Sequence, residues 1–145
     1  MTEPSATDWA YLAGLIDGEG SLVLVHRKGR GRTRPSDQHP AHSENSYQCH
    51  VTIVNTDFKM IDWVRDTFGD YVYFQRSRDG RKPLYVYSVQ SKEDVAYILR
   101  GTLPYLLTKY EVAEAMFHFA TVPIWEKEMR LTIYEEFKNL KVDVK

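Results

Sequence analysis

Between Ser46 and Ile53 polar and apolar residues alternate: Ser46, Gln48, His50 and Thr52 share one parity, and Tyr47, Cys49, Val51 and Ile53 the other, in a run that extends to Asn55. Successive side chains of a β-strand point to opposite faces, so this run is a strand with one buried face and one polar face. Strands of a parallel sheet are covered on both sides, whereas an antiparallel sheet can leave one side to water. The run therefore calls for an antiparallel sheet and for helices to cover its apolar side.

The rest of the chain supplies both. Residues 7–17 read as a helix capped by Thr7, with Trp9, Leu12, Ala13 and Ile16 on one face. Gly14 and Gly18 lie one turn apart on another face, which has no bulk and admits a second helix closely. Residues 21–28 (SLVLVHRK) have strand composition, and 57–68 form an amphipathic helix carrying Met60, Ile61, Trp63 and Val64, started by Thr56 or Asp57 and stopped at Gly69. Strands at 71–78 and 84–90 are joined by Asp79-Gly80 turn chemistry. Residues 92–100 and 109–119 are helical, and the Thr121-Val122-Pro123 break precedes a charged helix over 125–140. The predicted order is αββαββα followed by extra C-terminal helices, an α+β fold in a single domain over residues 1–145. Residues 29–46, rich in Gly, Pro, Ser, His and charge, read as a long loop between two strands.

A net charge of -1 argues against a nucleic-acid partner until its distribution is considered. Residues 20–56 hold Arg27, Lys28, Arg30, Arg32 and Arg34 against Asp37 and Glu44, and residues 70–92 hold Arg76, Arg78, Arg81, Lys82 and Lys92 against Asp70 and Asp79. Both segments are strand territory, so the positive charge gathers on the sheet. No run approaches the roughly 18 apolar residues of a membrane span, and the N-terminus is polar, so a soluble, intracellular protein is expected. The single cysteine, Cys49, falls on the apolar parity of its strand and reads as a buried thiol.

Residues 12–20 read LAGLIDGEG. A helix ending in Asp17-Gly18-Glu19-Gly20 puts two carboxylates where its dipole repels anions, an arrangement that a cation relieves. Mg²⁺ takes oxygen ligands, few of them carboxylates, and leaves positions for water and phosphate. The flanking glycines permit unusual backbone angles and let carbonyls approach an ion.

This nonamer closely resembles the signature of the LAGLIDADG homing endonucleases. The resemblance extends to the αββαββα order, to VTIVNTD at residues 51–57 and to LPYLLTK at residues 103–109, and so covers nearly the whole chain. It implies a saddle-shaped antiparallel sheet and a site-specific double-strand DNA endonuclease, of the kind that mobile introns or inteins encode, using Mg²⁺ or Mn²⁺. Glu19 stands at the motif position of the metal ligand, where many members carry Asp. The Gly18 carbonyl is a further ligand and Asp17 a weaker one. Asn55 resembles the polar residue that positions water near the scissile phosphate, and Lys109 the lysine that supports the site electrostatically or polarises that water. One motif implies a homodimer, packed through Tyr11, Gly14, Leu15 and Gly18 of the first helix, and a pseudo-palindromic target. A splicing maturase acting on intron RNA and a non-cleaving DNA-binding protein are the alternatives that the same scaffold admits.

For the DNA side, alternation selects Val25 and Arg27, then Ser46, Gln48, His50 and Thr52, then Tyr71, Tyr73, Gln75 and Ser77, and in the fourth strand Val86, Ser88 and Gln90. Arg30, Arg32, Arg34, Arg78, Arg81 and Lys82 are the expected contacts to phosphates or outer bases. His39, His42, Cys49 and His50 match no standard zinc spacing, and alternation sends Cys49 and His50 to opposite faces.

Overall fold

The structure is a computed structural model that describes residues 3–27 and 46–143. In chain order it comprises α1 (Ala6–Glu19), β1 (Gly20–Arg27), β2 (Ser46–Asn55), α2 (Phe58–Phe68), β3 (Val72–Arg76), β4 (Leu84–Val89) and α3 (Lys92–Thr102). A 3-10 turn at Leu103–Tyr105, α4 (Tyr110–Thr121) and α5 (Lys127–Asp143) follow. This is the predicted αββαββα order with helices appended, an α+β fold. The four strands form one antiparallel sheet in the order β1-β2-β4-β3.

Capping sets where the helices begin. α1 starts earlier than predicted because Ser5, not Thr7, is its N-cap: Ser5 Oγ accepts the Asp8 N–H at 3.1 Å and Asp8 Oδ2 accepts the Ser5 N–H at 2.9 Å. This reciprocal box satisfies two donors of the first turn. Asp57 caps α2 through the Lys59 N–H, and Ser91 caps α3 through the Asp94 N–H. Gly69 ends α2 at φ 135°, where a side chain is disfavoured, and its carbonyl accepts the Tyr87 hydroxyl at 2.9 Å.

All five helices lie on one side of the sheet. Leu12, Ala13 and Ile16 of α1, Ile61 and Val64 of α2, and Val95, Ile98 and Leu99 of α3 share a core with Leu22, Val51, Ile53, Tyr87 and Val89 from the strands. α4 adds Met116 and Phe119, and α5 adds Ile133 and Phe137. Truncating a residue as buried as Ile16 to alanine costs about 2–5 kcal/mol. Trp9 fastens the layer laterally, with its ring 4.8 Å from Phe68 and 5.3 Å from Tyr97. A Cβ on Gly101 would lie 2.3 Å from that indole, so α3 passes beneath it only as glycine.

Cys49 is buried as expected, and burial pushes its thiol pKa up to about 11. Among the described residues no helix is long and apolar enough to cross a membrane.

Candidate active site and nucleic-acid interface

Glu19 is the last residue of α1, and Gly20 opens β1 with no intervening loop. The change of direction is so abrupt that a Cβ on Gly20 would lie 2.7 Å from the Ile16 Cα. The glycine is needed for this close approach and not for an unusual backbone angle. Gly20 is extended, and the positive-φ glycines among the described residues are Gly69 and Gly80.

Pairing of Gly20 with Ile53 brings the end of α1 beside the end of β2. There the Asn55 side-chain amide donates from Nδ2 to Glu19 Oε2. Asn55 Oδ1 accepts the Asp57 N–H at 2.7 Å, and Asp57 in turn caps α2. Asn55 thus ties the end of α1 to the start of α2, its nitrogen on Glu19 and its oxygen on the Asp57 N–H. Glu19 is exposed to solvent.

Asp17 is engaged by backbone on both of its oxygens. Its Oδ2 accepts the Leu107 N–H at 2.8 Å and its Oδ1 accepts the Lys109 N–H at 2.9 Å. The carboxylate clamps the segment that leads into α4. Lys109 closes the same junction from the other side, donating from Nζ to the Ile16 and Asp17 carbonyls at 2.8 Å each. An ammonium on the last carbonyls of a helix offsets its negative end. The positive group thus sits within the turn that carries Glu19. Lys141 of α5, which the sequence did not single out, lies near it. Burial and the neighbouring Lys109 charge lower the Lys141 pKa from the ordinary lysine value.

The donor set at this helix end is all oxygen, the Glu19 carboxylate and the Gly18 carbonyl. The latter is among the last carbonyls of α1, which have no intrahelical donor. That set suits a hard divalent cation bound by few protein groups. Among the described residues no group of three or more His, Cys, Asp or Glu side chains is placed to hold a metal ion.

The sheet face turned away from the helices is open. Register places Ser21, Val23 and Val25 of β1 there, opposite Thr52, His50 and Gln48 of β2, with Arg27 paired to Ser46. This is the face that alternation selected for β1 and β2. His50 and Gln48 share a hydrogen bond of 3.3 Å across the face.

The third strand is reversed. Tyr73 pairs with Tyr87 and Gln75 with Tyr85 on the helix side, where Tyr71 and Tyr73 pack on the core and the Arg65 guanidinium lies 4.2 Å from the Tyr73 ring centre. Val72, Phe74 and Arg76 occupy the open side instead. Alternation misassigned this strand because both parities carry large apolar groups, which makes a one-residue shift invisible in composition.

Val86 and Ser88 of β4 do point to the open side, but each is only 3% exposed. Ser88 is occupied by Thr52, 3.0 Å away, and by Gln90, 3.2 Å away. Burial removes both from direct contact with a ligand. Ser77, Arg81 and Lys82 are exposed beyond the strand ends. Arg78 turns back, donating from Nε and Nη2 to the Lys82 carbonyl at 3.1 and 2.7 Å, and so braces the turn around Gly80. Arg30, Arg32, Arg34, His39 and His42 lie outside the described residues.

On α1, Tyr11, Gly14 and Gly18 form an exposed strip beside half-buried Leu15. A Cβ on Gly14 or Gly18 would meet nothing within 4 Å.

No protein-family model matches the chain, and no curated protein does. Solved structures do match. A chain of the homing endonuclease I-CvuI, crystallised in complex with its target in the presence of Ca, is 17% identical with a TM-score of 0.60; the match covers 79% of this chain and 66% of that one. The homing endonuclease I-TnaI is 14% identical with a TM-score of 0.61, over 99% of this chain and 100% of that one. The meganuclease I-SmaMI bound to uncleaveable DNA is 22% identical with a TM-score of 0.60, over 92% of this chain and 43% of that one. This chain thus spans about two-thirds of I-CvuI, the whole of I-TnaI and under half of I-SmaMI. It has the fold of the LAGLIDADG homing endonucleases and carries a LAGLIDGEG form of the motif for which they are named.

Proposed function

We propose that this protein is a site-specific double-strand DNA endonuclease that works as a homodimer with a divalent cation, Mg²⁺ or Mn²⁺, at Glu19 and the Gly18 carbonyl. The observation that carries the reading is the position of Glu19: an exposed carboxylate at the end of a helix whose exposed strip includes Gly14 and Gly18, next to a sheet face of readable polar groups. Gly14 and Gly18, where a Cβ would meet nothing within 4 Å, let two copies of α1 approach closely, and an approach about a two-fold axis brings two Glu19 carboxylates together. The match of this chain to 43% of the DNA-bound I-SmaMI chain supports two copies, because two such lengths make up most of one.

When bound, a divalent cation supplies stabilisation of charge on the phosphate and a lowered pKa for an attacking water. The chain's own residues orient and balance that chemistry. Glu19 provides the anionic oxygen, and Asn55 fixes the direction of its carboxylate. Lys109 neutralises the helix end that would otherwise repel Glu19 and the incoming phosphate. Ser46, Gln48, His50 and Thr52 offer donors and acceptors to base edges in the major groove.

Selection of cleaved sites from a randomised duplex pool in Mg²⁺ tests this reading. It predicts enrichment of one long site with two-fold related halves. A pool from which nothing is enriched contradicts it.

A further inference from the structure

The reversed third strand leaves an anomaly. β3 is an edge strand, and it presents Val72 and Phe74 to solvent at 44% and 43% exposure on the open face. Exposed apolar residues on an edge strand invite pairing with other chains, and proteins ordinarily place charge there. The surroundings identify a different occupant. The hairpin that continues β3 holds Arg76, Arg78, Arg81 and Lys82 against Asp79 alone, a strongly cationic rim for an apolar patch. Arg76 lies on the same face, its guanidinium carbon 5.9 Å from the Phe74 ring centre. The patch is also continuous, across buried Val86 and Ser88, with the polar row of β2. An apolar surface inside a cationic frame suits a ligand that is anionic at its edges and carries methyl groups between them. The major groove of DNA is such a surface wherever thymine shows its 5-methyl group.

We infer that β3 is a thymine-methyl reader: Val72 and Phe74 contact thymine 5-methyl groups in each half-site, while Arg76 and the hairpin cations hold the flanking phosphates. This rests on the endonuclease reading and adds the chemistry of its specificity. The sheet divides the work by strand. β2 reads hydrogen-bonding patterns, and β3, which offers neither donor nor acceptor at positions 72 and 74, reads methyl groups.

The test uses the whole chain and the site recovered from the randomised pool. Each thymine is replaced in turn by deoxyuridine, which removes only the methyl group, and affinity is measured by fluorescence anisotropy in EDTA. Burying one methyl group is worth roughly fourfold in affinity. At one or two symmetry-related positions per half-site, deoxyuridine weakens binding by about that factor or more. Phe74→Ala then binds thymine and deoxyuridine alike at its position, whereas Phe74→Leu, which keeps an apolar contact, still discriminates. Phe74 is exposed, so both variants fold, and their circular dichroism melts verify it. A site that is cleaved but indifferent to every deoxyuridine substitution overturns the inference and leaves the endonuclease reading standing. So does a penalty that is the same in Phe74→Ala as in the parent. Failure to recover any cleaved site overturns both.

Discussion

Asn55 holds Glu19: its Nδ2 donates to Glu19 Oε2 while its Oδ1 accepts the Asp57 N–H at 2.7 Å. The two functions separate by substitution. Asn55→Asp keeps an oxygen for Asp57 but loses the donor and adds a negative charge beside Glu19. We expect it to melt near the parent temperature yet cleave roughly 10- to 100-fold more slowly, the usual cost of removing a group that orients a metal ligand. Single-turnover cleavage beside a thermal melt measures both, and a parental rate contradicts the role.

Asp17 is structural in this account. Asp17→Asn weakens the acceptor for two backbone N–H groups, so the expected loss is about 1–3 kcal/mol of stability. The Mg²⁺ concentration for half-maximal cleavage stays unchanged. A shift in that concentration at parental stability returns Asp17 to the ligand set.

The sequence disclosed most of this architecture, for reasons visible residue by residue. Ser46–Asn55 matched its predicted bounds because its residues alternate from Ser46 to Ile53. The third strand failed because Tyr71, Val72, Tyr73 and Phe74 are all large and apolar, and only pairing with Tyr87 and Val86 decides which parity meets the helices. Glu19 and Asn55 were each visible as candidates, but their contact spans 36 residues and follows from strand register, which composition does not encode. The clamp made by Asp17 was hidden for a related reason, since the N–H groups it accepts lie 90 and 92 residues away.

The glycine-bearing strip on α1 has a direct test. A Cβ at Gly14 meets nothing in the protomer, and replacing a mid-helix glycine raises helix propensity by up to about 1 kcal/mol. Gly14→Leu is therefore expected to leave the protomer folded and to block close approach of two helices. Sedimentation velocity is expected to show a dimer for the parent and a monomer for the variant. A variant that stays dimeric with parental affinity contradicts the α1 interface.

Cys49 links stability to alkaline pH. Burial raises its pKa from 9.0 to about 11, so between these values the folded chain keeps a proton that the unfolded chain releases. Its contribution is complete below pH 9 and is lost as pH rises through 11. Thermal melts are expected to fall over this window more steeply in the parent than in Cys49→Val, and equal slopes contradict the assignment.

Glu19 carries the central claim. The decisive measurement compares the parent with Glu19→Gln on the selected target in Mg²⁺, with affinity for the same duplex measured alongside. The account predicts that the amide variant binds the target with parental affinity and does not cleave either strand. Cleavage by Glu19→Gln at the parental rate would contradict it.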